Sequence, residues 1–391
     1  MRSPARRGRR AGRGSALERG LEQLSLELAR AGFSAGPIGF RFVRPLEARG
    51  NGAEVLLFER SLHDGPPGMV VVKRLRNPSS FLMRQRLKEE VLLALRLHHP
   101  AIAQVHHFRI IGRAPHAILE YVAGPSLDAL ITLAMMRGQP LPTAFVLYVA
   151  AEVADALQHA HTLTDASGRP LGIIHRDVSP RNIRVERATG QVKVTDFGAA
   201  YSKRVGREET PEKLLKGDLM YASPEYLLGA PMDARSDLYS LGLLLLEALT
   251  HHHLFNDGWE CATHTEPDLR ADEPPDVPLP CLLAFMKRCT PENVERATAP
   301  LSPGLQALLR RMLAKPPSDR PSSADEVCLT LRARLQELAP GYDRRRAAED
   351  MAQVIVEASA ARVLGEPVEG GIYPVGLDMH ELMPISTKDA R

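Results

Sequence analysis

The sequence predicts an α+β fold in which a small antiparallel sheet with one helix precedes a larger, mainly helical lobe. Between residues 40 and 122, short runs of β-branched and apolar residues are separated by turns that contain Gly and Pro. From 126 to 338 the apolar residues recur at three- and four-residue steps, a spacing that is typical of helices. The change of period separates a part rich in strands, residues 40–122, from a part dominated by helices, residues 126–338.

Each element follows from its own local pattern. In the first lobe the runs of apolar residues predict strands over 40–46, 53–60, 69–75, 104–111 and 116–122. A helix is expected over 80–97, where the leucines lie on one helical face. In the second lobe the helices are predicted over 142–163, 236–250, 303–315 and 322–338, and short strands fall within 172–198.

Extensions flank this central domain of residues 40–338. Residues 1–39 begin with an Arg-rich tail that cannot bury a core and is expected to be disordered. An amphipathic helix over 17–31 follows that tail, because its leucines share one helical face. Residues 339–391 form a C-terminal extension of unknown role, in which one further helix is predicted over 342–363.

Composition excludes several classes of protein. No apolar run reaches about 18 residues, so no membrane-spanning helix is predicted. The four cysteines show no CxxC spacing, which argues against a zinc site or a disulfide framework and favours a cytoplasmic location. The first 14 residues hold six arginines and no acid, so the rest of the chain carries a net charge of −3, which argues against nucleic-acid binding by the body.

One segment concentrates polar residues that can carry chemistry. It begins at His175, Arg176 and Asp177 and ends at Asn182, and Asp196, Phe197 and Gly198 follow 19 residues after Asp177. The reaction needs a carboxylate that orients the attacking hydroxyl and accepts its proton, and Asp and Asn oxygens that hold Mg²⁺. Asp177 is the candidate base, and Asn182 and Asp196 are the candidate metal ligands.

These motifs resemble those of the bacterial, eukaryotic-like (Hanks-type) serine/threonine protein kinase family. The resemblance covers residues 40–338 and implies a two-lobed protein kinase-like fold, with an N-lobe over 40–122 and a C-lobe over 123–338. ATP would lie in the cleft between the lobes, with Mg²⁺ as its cofactor. It also implies a protein substrate, whose identity the sequence does not reveal. The oligomeric state is equally unknown from the sequence.

The resemblance assigns further residues to the ATP site. Lys73 occupies the place of the lysine that pairs the α- and β-phosphates, and Glu90 that of the glutamate which holds this lysine, with Glu89 as the alternative. The backbones of Glu120 and Val122 are expected to bond adenine. The other positions assigned to ATP binding are Leu46, Gly50, Val55, Val71 and Arg184.

Structural and regulatory residues follow in the same way. The resemblance implies that Glu225 pairs with Arg320 and that Asp237 braces the catalytic loop. The activation segment runs from Asp196 to Glu225. Arg176 is expected to bind a phosphate group on this segment, and Thr210 is the candidate autophosphorylation site. A flexible acidic segment that needs no phosphate is the alternative.

Several positions depart from the family pattern. Only Gly50 and Val55 match the glycine-rich loop, and Ser179 stands where the family has a lysine that contacts the γ-phosphate. Arg181 occupies the place of a compensating arginine in tyrosine kinases, and Asp218 replaces a threonine. Arg184 replaces the leucine beneath adenine, so it either stacks on the base or narrows the space for it.

The sequence thus predicts an enzyme, an ATP- and Mg²⁺-dependent protein serine/threonine kinase. The alternative is a pseudokinase, a fold retained as a binding or scaffolding module, which the changed glycine loop, Ser179 and Arg184 motivate. A small-molecule kinase is disfavoured, because Glu225, Asp237 and Arg320 form a set that is typical of protein kinases.

Overall fold

The fold is described from a computed structural model that covers residues 33–35, 38–48, 53–62, 65–75, 81–111, 114–197, 200, 218–255 and 279–363. The helix predicted over 17–31, together with Gly50, Gly198 and Thr210, lies outside these residues. The chain divides into two compact units. Of the described residues, the first unit contains those up to Val91 and Gln104–Tyr121, and the second contains Leu92–Ala103 and those from Val122 onward.

The first unit is a six-stranded antiparallel sheet with one helix. The elements are β1 (Phe33–Ala35), β2 (Ile38–Ala48), β3 (Ala53–Leu62), β4 (Gly65–Leu75), α1 (Phe81–Ala94), β5 (Val105–Ile111) and β6 (Ala114–Glu120). The strands follow the order β1-β2-β3-β4-β6-β5 in the sheet. Along β3 and β4, alternate residues such as Leu56, Phe58, Val70 and Val72 point to the same face and form a buried cluster.

Strand β1 was not anticipated, because its three residues are too short to show an alternating pattern. Its position is explained by Phe33, whose ring stacks on that of Phe40 with the centroids 4.6 Å apart. The same ring meets Phe58 edge-on at 5.3 Å. Aromatic contacts between neighbouring strands therefore add this strand to the edge of the sheet.

The second unit is mainly helical. Its elements are α2 (Leu127–Met136), α3 (Thr143–Thr162), β7 (Ile183–Val185), β8 (Val192–Val194), α4 (Pro224–Leu227), α5 (Arg235–Thr250), α6 (Leu279–Arg288), α7 (Pro291–Thr298), α8 (Pro303–Met312), α9 (Ala324–Leu338) and α10 (Arg344–Val363). Short 3₁₀ turns lie at Pro180–Asn182, Leu219–Tyr221 and Pro317–Asp319. This arrangement confirms the predicted α+β fold class of a small sheet lobe and a larger helical lobe.

Helices α3 and α5 form the centre of the second unit. Most residues of α5 and just over half of those of α3 are buried, and α3 packs against α5 and α9. Small residues permit close packing here. A Cβ atom on Gly242 of α5 would lie only 3.0 Å from the Cβ atom of Met312 on α8. This part of the core is therefore tightly packed, and it tolerates little change of volume.

Strands β7 and β8 form a short antiparallel hairpin. Ile183 pairs with Val194, and Val185 with Val192. All four side chains are buried, which anchors the hairpin in the core. Asn182 directly precedes β7, and Asp196 follows β8 by two residues, so the hairpin brings the two predicted metal ligands to one end.

No described helix is both long enough and apolar enough to cross a membrane. Cys281 is disulfide-bonded, which the spacing of the cysteines did not predict. Cys289 and Cys328 are free and buried.

Candidate active site

Lys73 and Glu90 form an ion pair in the first unit. The Nζ atom of Lys73, on β4, lies 2.5 Å from Oε1 of Glu90, on α1. Both side chains are largely buried, with 8% and 14% of their surfaces exposed. The alternative, Glu89, instead accepts a hydrogen bond at 2.9 Å from Gln85 on the exposed side of the same helix. The structure therefore selects Glu90 as the partner of Lys73.

The predicted adenine-site residues of the first unit lie on neighbouring strands. Val55 on β3 is opposite Lys73, and Val71 on β4 is opposite Leu119 on β6. Leu46 lies on β2, and Val55, Val71 and Leu46 are all partly exposed. Gly50 lies outside the described residues.

Glu120 ends strand β6 in a well-defined backbone conformation. Its N–H donates to the carbonyl of Gln104 at 2.8 Å, and its side chain accepts the N–H of Gln104 at 2.9 Å. These two bonds fix the backbone at Glu120, one residue before the end of the first unit. A hydrogen bond from this backbone to adenine is part of the proposed function.

The candidate catalytic loop, residues 175–182, is held by a buried carboxylate of the second unit. Asp237, on α5, is fully buried and accepts the backbone N–H groups of His175 at 2.8 Å and of Arg176 at 2.9 Å. It also lies 2.8 Å from Nε2 of His161 on α3. Burial alone would raise the pKa of Asp237, but the bond and charge of His161 and the backbone bonds hold this pKa below its ordinary value.

His175 is buried in its neutral form. Burial lowers the pKa of His175. Its Nε2 atom faces the carbonyl of Thr195 at 3.3 Å and must therefore carry the proton, while Nδ1 accepts the N–H of Asp177 at 3.3 Å. The ring also packs on Phe197 with the centroids 4.4 Å apart. His175 thus connects the loop that carries Asp177 with the segment that carries Asp196.

Asp177 is oriented by two neighbours. Its Oδ1 atom accepts the backbone N–H of Asp218 at 2.9 Å, and its carbonyl accepts Nδ2 of Asn182 at 2.8 Å. Asp218 stands where the family has a threonine, and its side chain is used elsewhere, accepting the N–H of Met220 at 3.2 Å. The backbone at this position therefore orients the candidate base.

Asn182 and Asp196 fit the role of magnesium ligands. The side-chain nitrogen of Asn182 donates to the Asp177 carbonyl. The side-chain oxygen of Asn182, Oδ1, is therefore the atom suited to bind a cation. The carbonyl of Asn182 accepts the N–H of Thr195 at 2.8 Å, which holds the two ligand positions side by side. Asp196 has a left-handed backbone, with φ 55°, a strained conformation of the kind that clusters at functional sites.

No group of three or more His, Cys, Asp or Glu in the described ranges is arranged to hold a metal ion. Magnesium characteristically binds through one or two protein carboxylates together with substrate phosphates and water. The pair formed by Asn182 and Asp196 fits that mode, in which the nucleotide supplies the other ligands.

Ser179 and Arg181 differ sharply in exposure. The Ser179 side chain is buried, and its hydroxyl has no hydrogen-bond partner in the protein. It is therefore a poor substitute for a lysine that reaches a phosphate. Arg181 is half exposed and lies 4.0 Å from the carboxylate of Asp128 at the start of α2, so its guanidinium group is accessible to solvent.

The segment that begins at Val122 lies against strand β7. The N–H of Val185 donates to the carbonyl of Pro125 at 3.1 Å, and Gly124 approaches so closely that a Cβ atom there would lie 1.8 Å from the Val185 carbonyl oxygen. Val122 itself is buried, and its carbonyl accepts the N–H of Gly124 at 2.9 Å. Glycine is therefore required at position 124.

Arg184 takes part in this contact. Its Nη1 atom donates to the carbonyl of Gly124 at 2.9 Å. The guanidinium group is thereby directed toward the backbone that follows Val122. Neither sequence hypothesis, stacking on adenine or narrowing of its space, included this bond.

Glu225 and Arg320 form a buried bidentate ion pair. The two N–O distances are 2.7 and 2.8 Å, and the side chains are only 6% and 0% exposed. Three backbone carbonyls accept the other donors of Arg320, and Ser236 donates to Glu225 at 2.6 Å. Burial alone would raise the pKa of Glu225, but Arg320 and Ser236 hold it below its ordinary value.

Sequence reasoning missed the pair formed by Tyr221 and Glu247. The hydroxyl of Tyr221 donates to Oε2 of Glu247 on α5. Burial raises the pKa of Glu247 to about 7 and that of Tyr221 well above its ordinary value, and nearby Asp218 and Asp128 act in the same direction. A Tyr and a Glu 26 residues apart carry no local signal, so only the fold reveals this contact.

Comparison with known proteins identifies the family. Residues 49–330 match the protein kinase domain family. The chain is 35% identical over 213 residues to the tyrosine-protein kinase MasK of Myxococcus xanthus. The aligned region covers 54% of this chain and 32% of MasK. It is 32% identical over 289 residues to the serine/threonine-protein kinase Pkn1 of the same organism. This aligned region covers 73% of this chain and 36% of Pkn1.

A solved structure is also similar. The kinase domain of Mycobacterium tuberculosis PknI aligns with a TM-score of 0.49 and 26% identity, over 77% of this chain and 98% of that domain. The chain spans about a third of the length of the first two curated relatives. The family match alone covers more than half of the chain, and with the bacterial relatives it confirms the resemblance drawn from the motifs. This chain belongs to the protein kinase family, in its bacterial, eukaryotic-like branch.

Proposed function

We propose that the chain is an active kinase that transfers the γ-phosphoryl group of ATP to a Ser or Thr hydroxyl of a protein. The observation that carries this proposal is the orientation of Asp177. Its carboxylate is fixed by the amide of Asp218, and its carbonyl by the side chain of Asn182. A carboxylate held in this way is suited to orient the acceptor hydroxyl and to take its proton.

The other residues have separate roles in the proposal. The Lys73 ammonium group, held by Glu90, contacts the α- and β-phosphates. Asn182 and Asp196 hold Mg²⁺, which when bound neutralises charge on the phosphates. The backbones of Glu120 and Val122 bond adenine, and Arg176 remains the candidate clamp for a phosphate in the activation segment.

A pseudokinase is the alternative. Its strongest support is Ser179, since the buried hydroxyl does not replace the missing lysine. Against it, Lys73, Asp177, Asn182 and Asp196 are all present, and the Lys73–Glu90 pair is formed.

Intact-mass measurement after incubation of the full chain with Mg²⁺ and ATP distinguishes the two functions. Phosphates added to the wild type but not to Asp177→Asn would support the kinase. If neither protein gains phosphate and neither phosphorylates generic protein substrates, the pseudokinase is the better description.

A tyrosine acceptor is a second candidate. It is favoured by the exposed Arg181, at the place of the tyrosine-kinase arginine, and by the similarity to a relative named as a tyrosine kinase. Phospho-amino-acid analysis of the modified protein tests it. Phosphoserine or phosphothreonine alone supports the first candidate, and phosphotyrosine supports the second.

A further inference from the structure

Helix α10 lies beyond the region that matches the kinase family, which ends at residue 330. It nevertheless belongs to the buried core of the second unit. Its buried residues Ala347, Met351, Val354 and Ala358 follow one another at steps of four, three and four residues, so they lie on one helical face. Helix α10 packs against α2 and α3.

An ion pair fixes the C-terminal half of this helix. The Nη1 atom of Arg137, at the end of α2, lies 2.5 Å from Oε2 of Glu357. Two further donors of the same guanidinium bond the carbonyls of Gln139 at 3.2 Å and Pro140 at 2.8 Å. Only 8% of the Arg137 side chain is exposed. Its guanidinium group, which binds Glu357, is therefore held in one position.

The first turn of α10 meets the β7–β8 hairpin backbone to backbone. Gly190, in the hairpin turn, has φ +69°, and a Cβ atom there would lie 1.8 Å from the Arg344 carbonyl oxygen and 2.8 Å from the Ala348 nitrogen. The hydroxyl of Tyr148 donates to the Gly190 carbonyl at 3.4 Å, and its ring lies 5.9 Å from that of Tyr342. Any side chain at position 190 would separate the two elements.

The same hairpin carries the candidate metal ligands at its other end. Asn182 directly precedes β7, and Asp196 follows β8 by two residues. Each strand has only three residues, so the Gly190 turn and the ligand end belong to one short, stiff unit.

We propose that α10 is a positioning element for the metal-binding hairpin. By holding Gly190, it keeps Asn182 and Asp196 in the arrangement that binds Mg²⁺ and ATP. The proposal rests on the nucleotide-binding part of the proposed function. It assigns to the C-terminal extension a role that the family does not supply.

Gly190→Ala in the full chain is the test, with Gly168→Ala as a matched control. Both glycines have a left-handed backbone, with φ +69° and +76°, but no atom lies within 4 Å of a Cβ placed on Gly168. Both variants therefore impose similar backbone strain, and only Gly190→Ala collides with α10. Hydrogen exchange by mass spectrometry and the binding of ATP in the presence of Mg²⁺ are measured for both.

The expected result is about tenfold faster exchange in residues 344–358 and 183–194 of Gly190→Ala, with about tenfold weaker ATP binding, and neither change in Gly168→Ala. Faster exchange confined to 344–358, with wild-type affinity for ATP, would show that α10 only covers an apolar face. If Gly190→Ala does not fold, Glu357→Ala is compared in the same way with Glu349→Ala, whose partner Arg345 lies within α10.

Failure of the proposed function has a different signature. If the wild type binds ATP with Mg²⁺ but phosphorylates nothing, the catalytic proposal fails, and the exchange and binding measurements still test α10. If the wild type binds no ATP, the ATP-binding measurement is uninformative for every variant. Hydrogen exchange that becomes faster in both 344–358 and 183–194 still shows whether α10 holds the hairpin.

Discussion

The carboxylate of Asp237 holds the backbone of Arg176 in a left-handed conformation. Arg176 has φ 65° and donates its N–H to Oδ1 of Asp237 at 2.9 Å. A non-glycine residue in this region costs about 1–2 kcal/mol. The buried charge-assisted bonds offset that cost, and the adjacent residue is the candidate base Asp177.

Replacement of Asp237 is therefore expected to affect both stability and catalysis. Asp237→Ala leaves the amides of His175 and Arg176 without their acceptor in a buried site, which should lower the free energy of unfolding by about 3 kcal/mol. Urea denaturation and phosphorylation assays measure the two effects. Full activity with wild-type stability would contradict the bracing role.

The Glu225–Arg320 pair predicts a large and non-additive effect. Arg320→Ala leaves the buried Glu225 carboxylate without its partner, at a cost of about 3–5 kcal/mol in unfolding free energy. The double variant with Glu225→Ala should cost less than the sum of the two single changes. Arg310→Ala is the control, because the Arg310–Glu295 pair is exposed and should contribute less than about 1 kcal/mol. Equal losses for Arg320→Ala and Arg310→Ala would refute this interpretation.

Lys73, Glu90 and Glu89 provide a matched test of the nucleotide anchor. Glu90→Gln removes the charge that holds Lys73, so kcat is expected to fall about 100-fold. Glu89→Gln, one residue away on the exposed side, should retain wild-type kcat. Lys73→Met should abolish phosphoryl transfer. Steady-state kinetics with a generic substrate gives the values, and equal losses in the two glutamate variants would contradict the assignment of Glu90.

Glu247 predicts a pH dependence of stability. Its pKa is raised from 4.5 to about 7 by burial, so the folded protein binds the proton more tightly than the unfolded chain. The stabilising contribution is fully present below pH 4.5 and is lost as pH rises through about 7. Wild-type Tm should therefore fall relative to that of Glu247→Gln between pH 5 and 8. A constant difference in Tm across this range would show that Glu247 is not the titrating group.

Arg184→Leu tests the contact with Gly124 and both hypotheses about adenine. The substitution removes the bond to the Gly124 carbonyl, worth about 1 kcal/mol, so ATP affinity is expected to fall about fivefold. Tighter binding would instead support the idea that Arg184 narrows the space for the base. An unchanged dissociation constant, measured by calorimetry, would eliminate both hypotheses about adenine and show that the bond to Gly124 does not contribute to ATP binding.

The main features of the fold could be predicted from the sequence, because the spacing at which apolar residues recur distinguishes helices from strands. The predicted strand over 53–60 and helix over 142–163 correspond closely to β3 and α3. The linear motifs around Asp177 and Asp196 could likewise be recognised, since one short hairpin lies between them and limits the variation of their spacing. Strand β1 could not be predicted, because its position depends on the packing of Phe33 against distant residues.

The contacts that shape the site depend on pairs far apart in the chain. The choice between Glu89 and Glu90 depends on which side of α1 faces β4, and adjacent glutamates give no signal of this. The bonds from Asp218 to Asp177 and from Arg184 to Gly124 join residues 41 and 60 positions apart. Such pairs become visible only when the tertiary structure is known.

The packing of α10 also bears on where the autonomous folding unit ends. Sequence similarity to the family stops at residue 330, yet Met351 and Val354 are 1% exposed in the core. A fragment that ends at residue 338 would uncover apolar surface on α2 and α3 and remove the partner of Arg137. Such a fragment should therefore aggregate on heterologous expression, and the family boundary is not the boundary of cooperative unfolding in this chain.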